Sequence, residues 1–186
     1  MRKPTLIVVV TLLVLASGCA STVQKTDAAS ATSIGSTSGK TVVLNITGSD
    51  TSTTAKDWGQ FKGLWREPCT HESAAVGDTF LIQDGEPKAT GEDGTLVVVN
   101  VLDYRYVSEG ARIMFGVMTG NAFINAHVTF RDLKSGDVRS TKTYDTTSSA
   151  WEGVFSGMTI KQVSAMCHQI FTEIGGSSSK VASSTR

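Results

Sequence analysis

Apolar and polar positions along this chain repeat with two different periods, and the change from one to the other marks its elements. Thr41-Val42-Val43-Leu44-Asn45-Ile46-Thr47 is β-branched and sets Val42, Leu44 and Ile46 on one side at period two, which predicts a first strand. Thr54 to Asp57 can open a helix with Trp58, Phe61 and either Leu64 or Trp65 turned inward, and Pro68 is expected to stop it. Gly59 and Gly63 inside that segment each cost about 1 kcal/mol relative to alanine. Phe80-Leu81-Ile82 predicts a short strand, followed by a turn region from Pro87 to Gly94. Leu96 to Val107 is a long β-type run, and its unbroken stretch Leu96-Val97-Val98-Val99 is what a strand covered on both faces requires. It is the expected centre of a sheet.

Two further strands are predicted from Ile113 to Met118 and from Asn121 to Arg131. The second alternates cleanly, with Ala122, Ile124, Ala126, Val128 and Phe130 inward and Phe123, Asn125, His127, Thr129 and Arg131 outward. Lys134-Ser135-Gly136-Asp137 reads as a hairpin turn, with Gly136 available for positive φ, and Val138 to Tyr144 as the return strand. The period then becomes helical. Thr159 and Gln162 make a capping-box pattern, Ile160, Val163, Met166, Cys167, Ile170, Phe171 and Ile174 recur along one stripe, and Gly175-Gly176 is the expected stop.

The two ends carry no such pattern. Met1-Arg2-Lys3-Pro4, an apolar run from Thr5 to Ala16 and then Ser17-Gly18-Cys19 form a basic start, a short greasy core and small residues before a cysteine. The run falls short of the roughly 20 apolar residues that span a bilayer. The segment resembles a bacterial lipoprotein signal, which implies cleavage after residue 18 and diacylglycerol on the thiol of Cys19. Ala20 stands where inner-membrane retention signals tend to carry Asp, which implies the outer membrane, periplasmic side. Residues 19–40 are then a Ser/Thr-rich flexible tether, because Val23 and Ile34 alone cannot offset its ordering entropy. Residues 176–186 read as a disordered tail. Between them, residues 41–175 are long enough for one domain that buries about two-thirds of its unfolded surface. The expected fold is α/β in the α+β sense: a mixed, largely antiparallel sheet of about five strands packed by two helices.

The chain holds 17 Lys and Arg against 17 Asp and Glu, so loss of Arg2 and Lys3 leaves the mature form slightly acidic. A nucleic-acid binder would carry a basic patch or stripe, and none is present. Leu96 to Asp103, the glycine-bearing Phe115-Gly116-Val117-Met118-Thr119-Gly120-Asn121-Ala122, the turn Asp132 to Gly136 and the closing helix together resemble an uncharacterised family of bacterial lipoproteins. The resemblance implies an α/β arrangement like that of envelope lipoproteins that assemble with others, including the periplasmic domain of the curli-secretion channel family.

Once Cys19 is lipidated, Cys69 and Cys167 remain. An even pair in an oxidising envelope favours a disulfide, with two buried free thiols as the alternative. Zinc is a sharper idea, since Cys69-Thr70-His71 and Cys167-His168 supply two thiols and two imidazoles. Adjacent helical residues diverge by about 100°, however, so Cys167 and His168 do not readily share one ion, and no metal or cofactor is expected. His71 and His127 lack a signature nucleophile, Asp103, Glu109 and Asp132 are scattered carboxylates, and Gly110, Gly116 and Gly120 lack the Lys-Ser/Thr ending of a phosphate loop. No catalytic residues are therefore assigned. Trp151, Phe155 and Met158 lie between glycines in a loop, the usual place for a partner contact, unless they seal the sheet edge or the helix start. The expected role is a non-catalytic envelope lipoprotein, anchored to membrane lipid through Cys19 and binding an envelope protein or copies of itself. The alternative is a module for periplasmic glycan or a small molecule, with Trp58, Trp65 or Trp151 lining a pocket.

Overall fold

The computed structural model describes residues 22–27, 40–107, 121–147 and 158–183. Its strands are β1 (Thr22–Asp27), β2 (Thr41–Gly48), β3 (Thr79–Gln83), β4 (Gly94–Arg105), β5 (Phe123–Asp132) and β6 (Val138–Thr147). Its helices are α1 (Asp50–Thr53), α2 (Trp58–Gly63) and α3 (Arg66–Val76), which connect β2 to β3, and α4 (Met158–Ser183). The strands form one six-stranded mixed sheet in the order β1-β6-β5-β4-β2-β3. β2 runs parallel to β3 and β4, and the other pairs are antiparallel.

Period-two alternation decides which face is buried. Val42, Leu44, Val97, Val99, Val101, Ile124, Ala126, Val128 and Phe130 share one core with Phe61 and Trp65, and with Val163, Met166, Cys167, Ile170, Phe171 and Ile174 of α4. The inward set expected of β5 is buried throughout. A smaller cluster of Val43, Leu96, Val98 and Leu133 lies on the opposite face. There the β3–β4 connection is tied down by Asn45 Nδ2, which donates to the carbonyls of Gln83 and Gly85, and by the Thr90 amide, which donates to the Leu133 carbonyl. Burial on both faces explains the unbroken apolar run in β4.

Three expectations are corrected. The helix read from Thr54 is split into α2 and α3, and Pro68 is the third residue of α3 rather than its end. In the first turn a proline forfeits no intrahelical hydrogen bond, because that amide has no partner within the helix. Residues 22–27, read as tether, are an edge strand paired with β6. Ladder pairing uses backbone groups and asks little of the side chains, so a polar composition does not forbid it. α4 runs past Gly175-Gly176 to Ser183, since glycine permits a left-handed stop without imposing one. The mixed α+β sheet of about five strands packed by helices is as expected, and among the described residues β1 adds a sixth strand at its edge. The strand expected from Ile113 to Met118 lies outside the described residues.

Candidate functional site

The face of the sheet turned away from the helices carries a polar depression, and a backbone irregularity builds it. Before Val101, odd-numbered residues of β4 face the helices; the register then shifts between Val101 and Asp103. Such a bulge re-aims every side chain beyond it. Tyr104 thereby turns to the helix side, stacked on Phe61 at 4.3 Å between ring centroids and 5.8 Å from Trp58. Its hydroxyl donates to the Asp57 carboxylate. Burial, reinforced by that bond and that charge, holds the phenol well above the usual tyrosine range. Asp103 and Arg105 turn to the open face instead. The Leu102 carbonyl at the bulge accepts from the hydroxyls of Ser49 and Ser52, at 2.9 and 3.3 Å, and the Val101 carbonyl accepts from the Ser49 amide. Ser49 also caps α1 by accepting from the Ser52 amide.

Cross-strand pairing then arranges the open face in ranks. Asp103, Asn125, Asp145 and Gln24 stand side by side on β4, β5, β6 and β1, and Arg105, Phe123, Thr147 and Thr22 make the next rank toward the sheet end. Neighbouring strands lie about 4.8 Å apart, so Asp103 and Asp145 are about 10 Å apart with Asn125 between them. Of these residues, Asp103, Arg105, Phe123, Asn125, Asp145 and Thr147, together with Asn121, line a shallow depression of about 560 Å³. Asn125 Oδ1 is buried there without a hydrogen-bond partner among the described residues. The lining offers carboxylates, amides, a guanidinium and one aromatic ring, a mixture suited to a hydroxylated ligand. His127 is exposed one rank behind, beside Asn100 and Thr143.

Cys69 on α3 and Cys167 on α4 are joined by a disulfide with their Cα atoms 5.1 Å apart. Both sulfurs are thereby withdrawn from the zinc arrangement considered above, and His168 instead places Nδ1 3.0 Å from Glu72 Oε2. His71 Nδ1 is 3.8 Å from the other oxygen of Glu72. Asp132 ties the β5–β6 turn: it accepts from the amides of Ser135 and Lys134 and from Arg139 Nη2. The Ser135 amide and then Arg139 hold its carboxyl down at about 2. Trp65 is fully buried and Trp58 packs against Phe61 and Tyr104, so neither lines the depression. Met158 opens α4. Cys19, Trp151, Phe155, Glu109, Gly110, Gly116 and Gly120 lie outside the described residues.

At the opposite edge β3 has no strand beyond it among the described residues, and its Leu81 is 51% exposed. The depression went unread in the sequence because it depends on the bulge. The outward alternation of Phe123 and Asn125 was its one legible trace.

No family model and no curated protein matches the sequence. Several solved structures resemble the fold. The PelC dodecamer from Paraburkholderia phytofirmans is 17% identical with a TM-score of 0.46, over 82% of this chain and 96% of that one. Protein XCC0632 from Xanthomonas campestris, assigned to DUF330, is 9% identical with a TM-score of 0.49, over 80% and 90%. A homolog of the neuraminyllactose-binding hemagglutinin from Helicobacter pylori is 13% identical with a TM-score of 0.38, over 80% and 91%. At these identities and scores the likeness is one of chain course alone.

Proposed function

We propose that this chain is a non-catalytic binding and assembly component of a bacterial cell envelope, held to the outer membrane on its periplasmic side by lipid on Cys19. The observation that carries the reading is the outer edge of β3, unpaired among the described residues, five residues rich in β-formers with Leu81 turned to solvent. An unpaired edge offers a row of backbone donors and acceptors to an incoming strand, and an exposed leucine adds an apolar anchor. The disulfide supports an oxidising compartment. Crosslinking of the full-length protein in intact cells, followed by native mass analysis, tests the reading. Self-crosslinked species or one stoichiometric envelope partner are expected, and Leu81→Lys should remove them. A wild-type chain captured alone would sink the assembly reading.

A second reading, binding of periplasmic glycan, is favoured by the depression. The Asp103–Asn125–Asp145 rank supplies planar hydrogen-bonding groups, and Phe123 beside it supplies a ring face for a sugar. Calorimetric titration with soluble peptidoglycan fragments should show heat that Asp145→Ala removes. Tryptophan fluorescence is a poor reporter here, because Trp58 and Trp65 belong to the aromatic packing of α2 and α3.

A further inference from the structure

We infer that the sheet end bearing the depression is the face this domain lays on the membrane, with phospholipid headgroups as its partner. The inference rests on the lipid-anchor reading of Cys19, and its argument is one of chain length. β1 begins at Thr22, which pairs with Thr147 at the end of β6, and Thr147 in turn pairs with Phe123 at the start of β5. Cys19 is three residues before Thr22. Consecutive Cα atoms across trans peptides are 3.8 Å apart, so an acylated Cys19 lies within about 11 Å of this end of the sheet. A flexible tether over residues 20–40 would instead let the domain wander about 25 Å from its anchor. Pairing of β1 with β6 converts the tether into a short mount and fixes which end faces the bilayer.

The chemistry of the two ranks agrees with that placement. The rank nearest the anchor carries Arg105 and Phe123, a cation for headgroup phosphate and a ring for the interface. The carboxylates Asp103 and Asp145 stand one rank back, about 7 Å farther along the strands, where they do not oppose an anionic surface at contact. The β5–β6 turn at Ser135 is at the far end, because Phe123 and Arg131 are separated by eight residues of strand, about 27 Å.

The test uses the full-length lipoprotein reconstituted in vesicles of phosphatidylethanolamine and phosphatidylglycerol, with acylation checked by mass. A fluorophore is attached through Asn121→Cys at the near end or Ser135→Cys at the far end, and nitroxide-headgroup lipid is added as a short-range quencher. Most of the fluorescence at position 121 should be lost and almost none at position 135. Equal quenching at both positions in an acylated chain overturns the orientation while leaving the anchor standing. A chain without acyl mass at Cys19 overturns both. Gln24→Pro combined with Thr26→Pro removes the amides that face Asp145 and Thr143, which unzips β1 and leaves the lipid in place, so the difference between the two positions should vanish. Its persistence would overturn the role given to β1.

Discussion

At Gly94 there is no room for a methyl group. A Cβ built there would stand 2.0 Å from the Thr41 carbonyl oxygen and 3.0 Å from Leu133 Cδ2. Thr41 is the register partner of Gly94, so the missing side chain is what lets β2 and β4 approach at the start of their ladder. Gly94→Ala should cost about 1–3 kcal/mol in a chemical melt, and an unchanged midpoint would show that β2 has slack there. Asp132 gives a second local expectation with a sign. Its carboxyl is lowered from the ordinary 3.8 to about 2, first by the Ser135 amide and then by Arg139, so it binds protons more weakly folded than unfolded. Its contribution is whole above pH 4 and is lost as pH falls toward 2. Asp132→Asn should flatten stability across that window, and a parallel acid melt for wild type and variant would remove the role. Residue-level features were legible where one turn decides them: Gly136 has φ +80°, as the hairpin reading of Lys134 to Asp137 requires. The bulge was not legible, because Asp103 and Arg105 fit the same period as Val101 until Ser49 and Ser52, some fifty residues away, take up the Leu102 carbonyl.

Elements were legible in proportion to the side chains they bury. α4 packs Val163, Met166, Cys167, Ile170, Phe171 and Ile174 into the core, and that stripe is plain in the sequence. Ile170→Asp would place a carboxylate where the side chain is all but inaccessible to water, so the domain should lose its cooperative melt. A wild-type transition in that variant would misplace the helix. β1 is the opposite case. Its exposed Gln24 and Thr26 bury no apolar side chain, and its pairing with β6 runs through backbone groups to which composition is blind. The junction of α2 and α3 was half legible: Phe61 and Trp65 are inward as read, but their spacing does not reveal that the helix restarts at Arg66. Removing residues 20–27 should leave the core melt within about 1 kcal/mol, since an edge strand of this composition adds little burial. A larger loss would give β1 a part in the core.

At the scale of the whole molecule, the Cys69–Cys167 bridge has the largest reach. It joins α3 to α4 across a sequence separation of 98, and the loop it closes contains β3, β4, β5 and β6. The same two helices already pack together, with Trp65 and Cys69 in one core with Met166 and Ile170. The bridge therefore does not create their contact; it restricts how far an unfolded chain can separate them. In the chain-entropy account a loop of about 100 residues is worth about 4–5 kcal/mol, a large part of a typical domain's stability. Cys69→Ser combined with Cys167→Ser should keep the fold and lower Tm by roughly 10–20 °C, with the loss arising chiefly from the greater conformational entropy of the uncrosslinked unfolded chain. Cys69→Ser alone should match the double variant, because the remaining Cys167 behaves as a small hydrophobe in a buried apolar site. If protein prepared under reducing conditions melts with the oxidised form, the helices hold themselves together and the bridge is incidental. If it melts at the lowered temperature, the domain depends on an oxidising compartment to reach full stability.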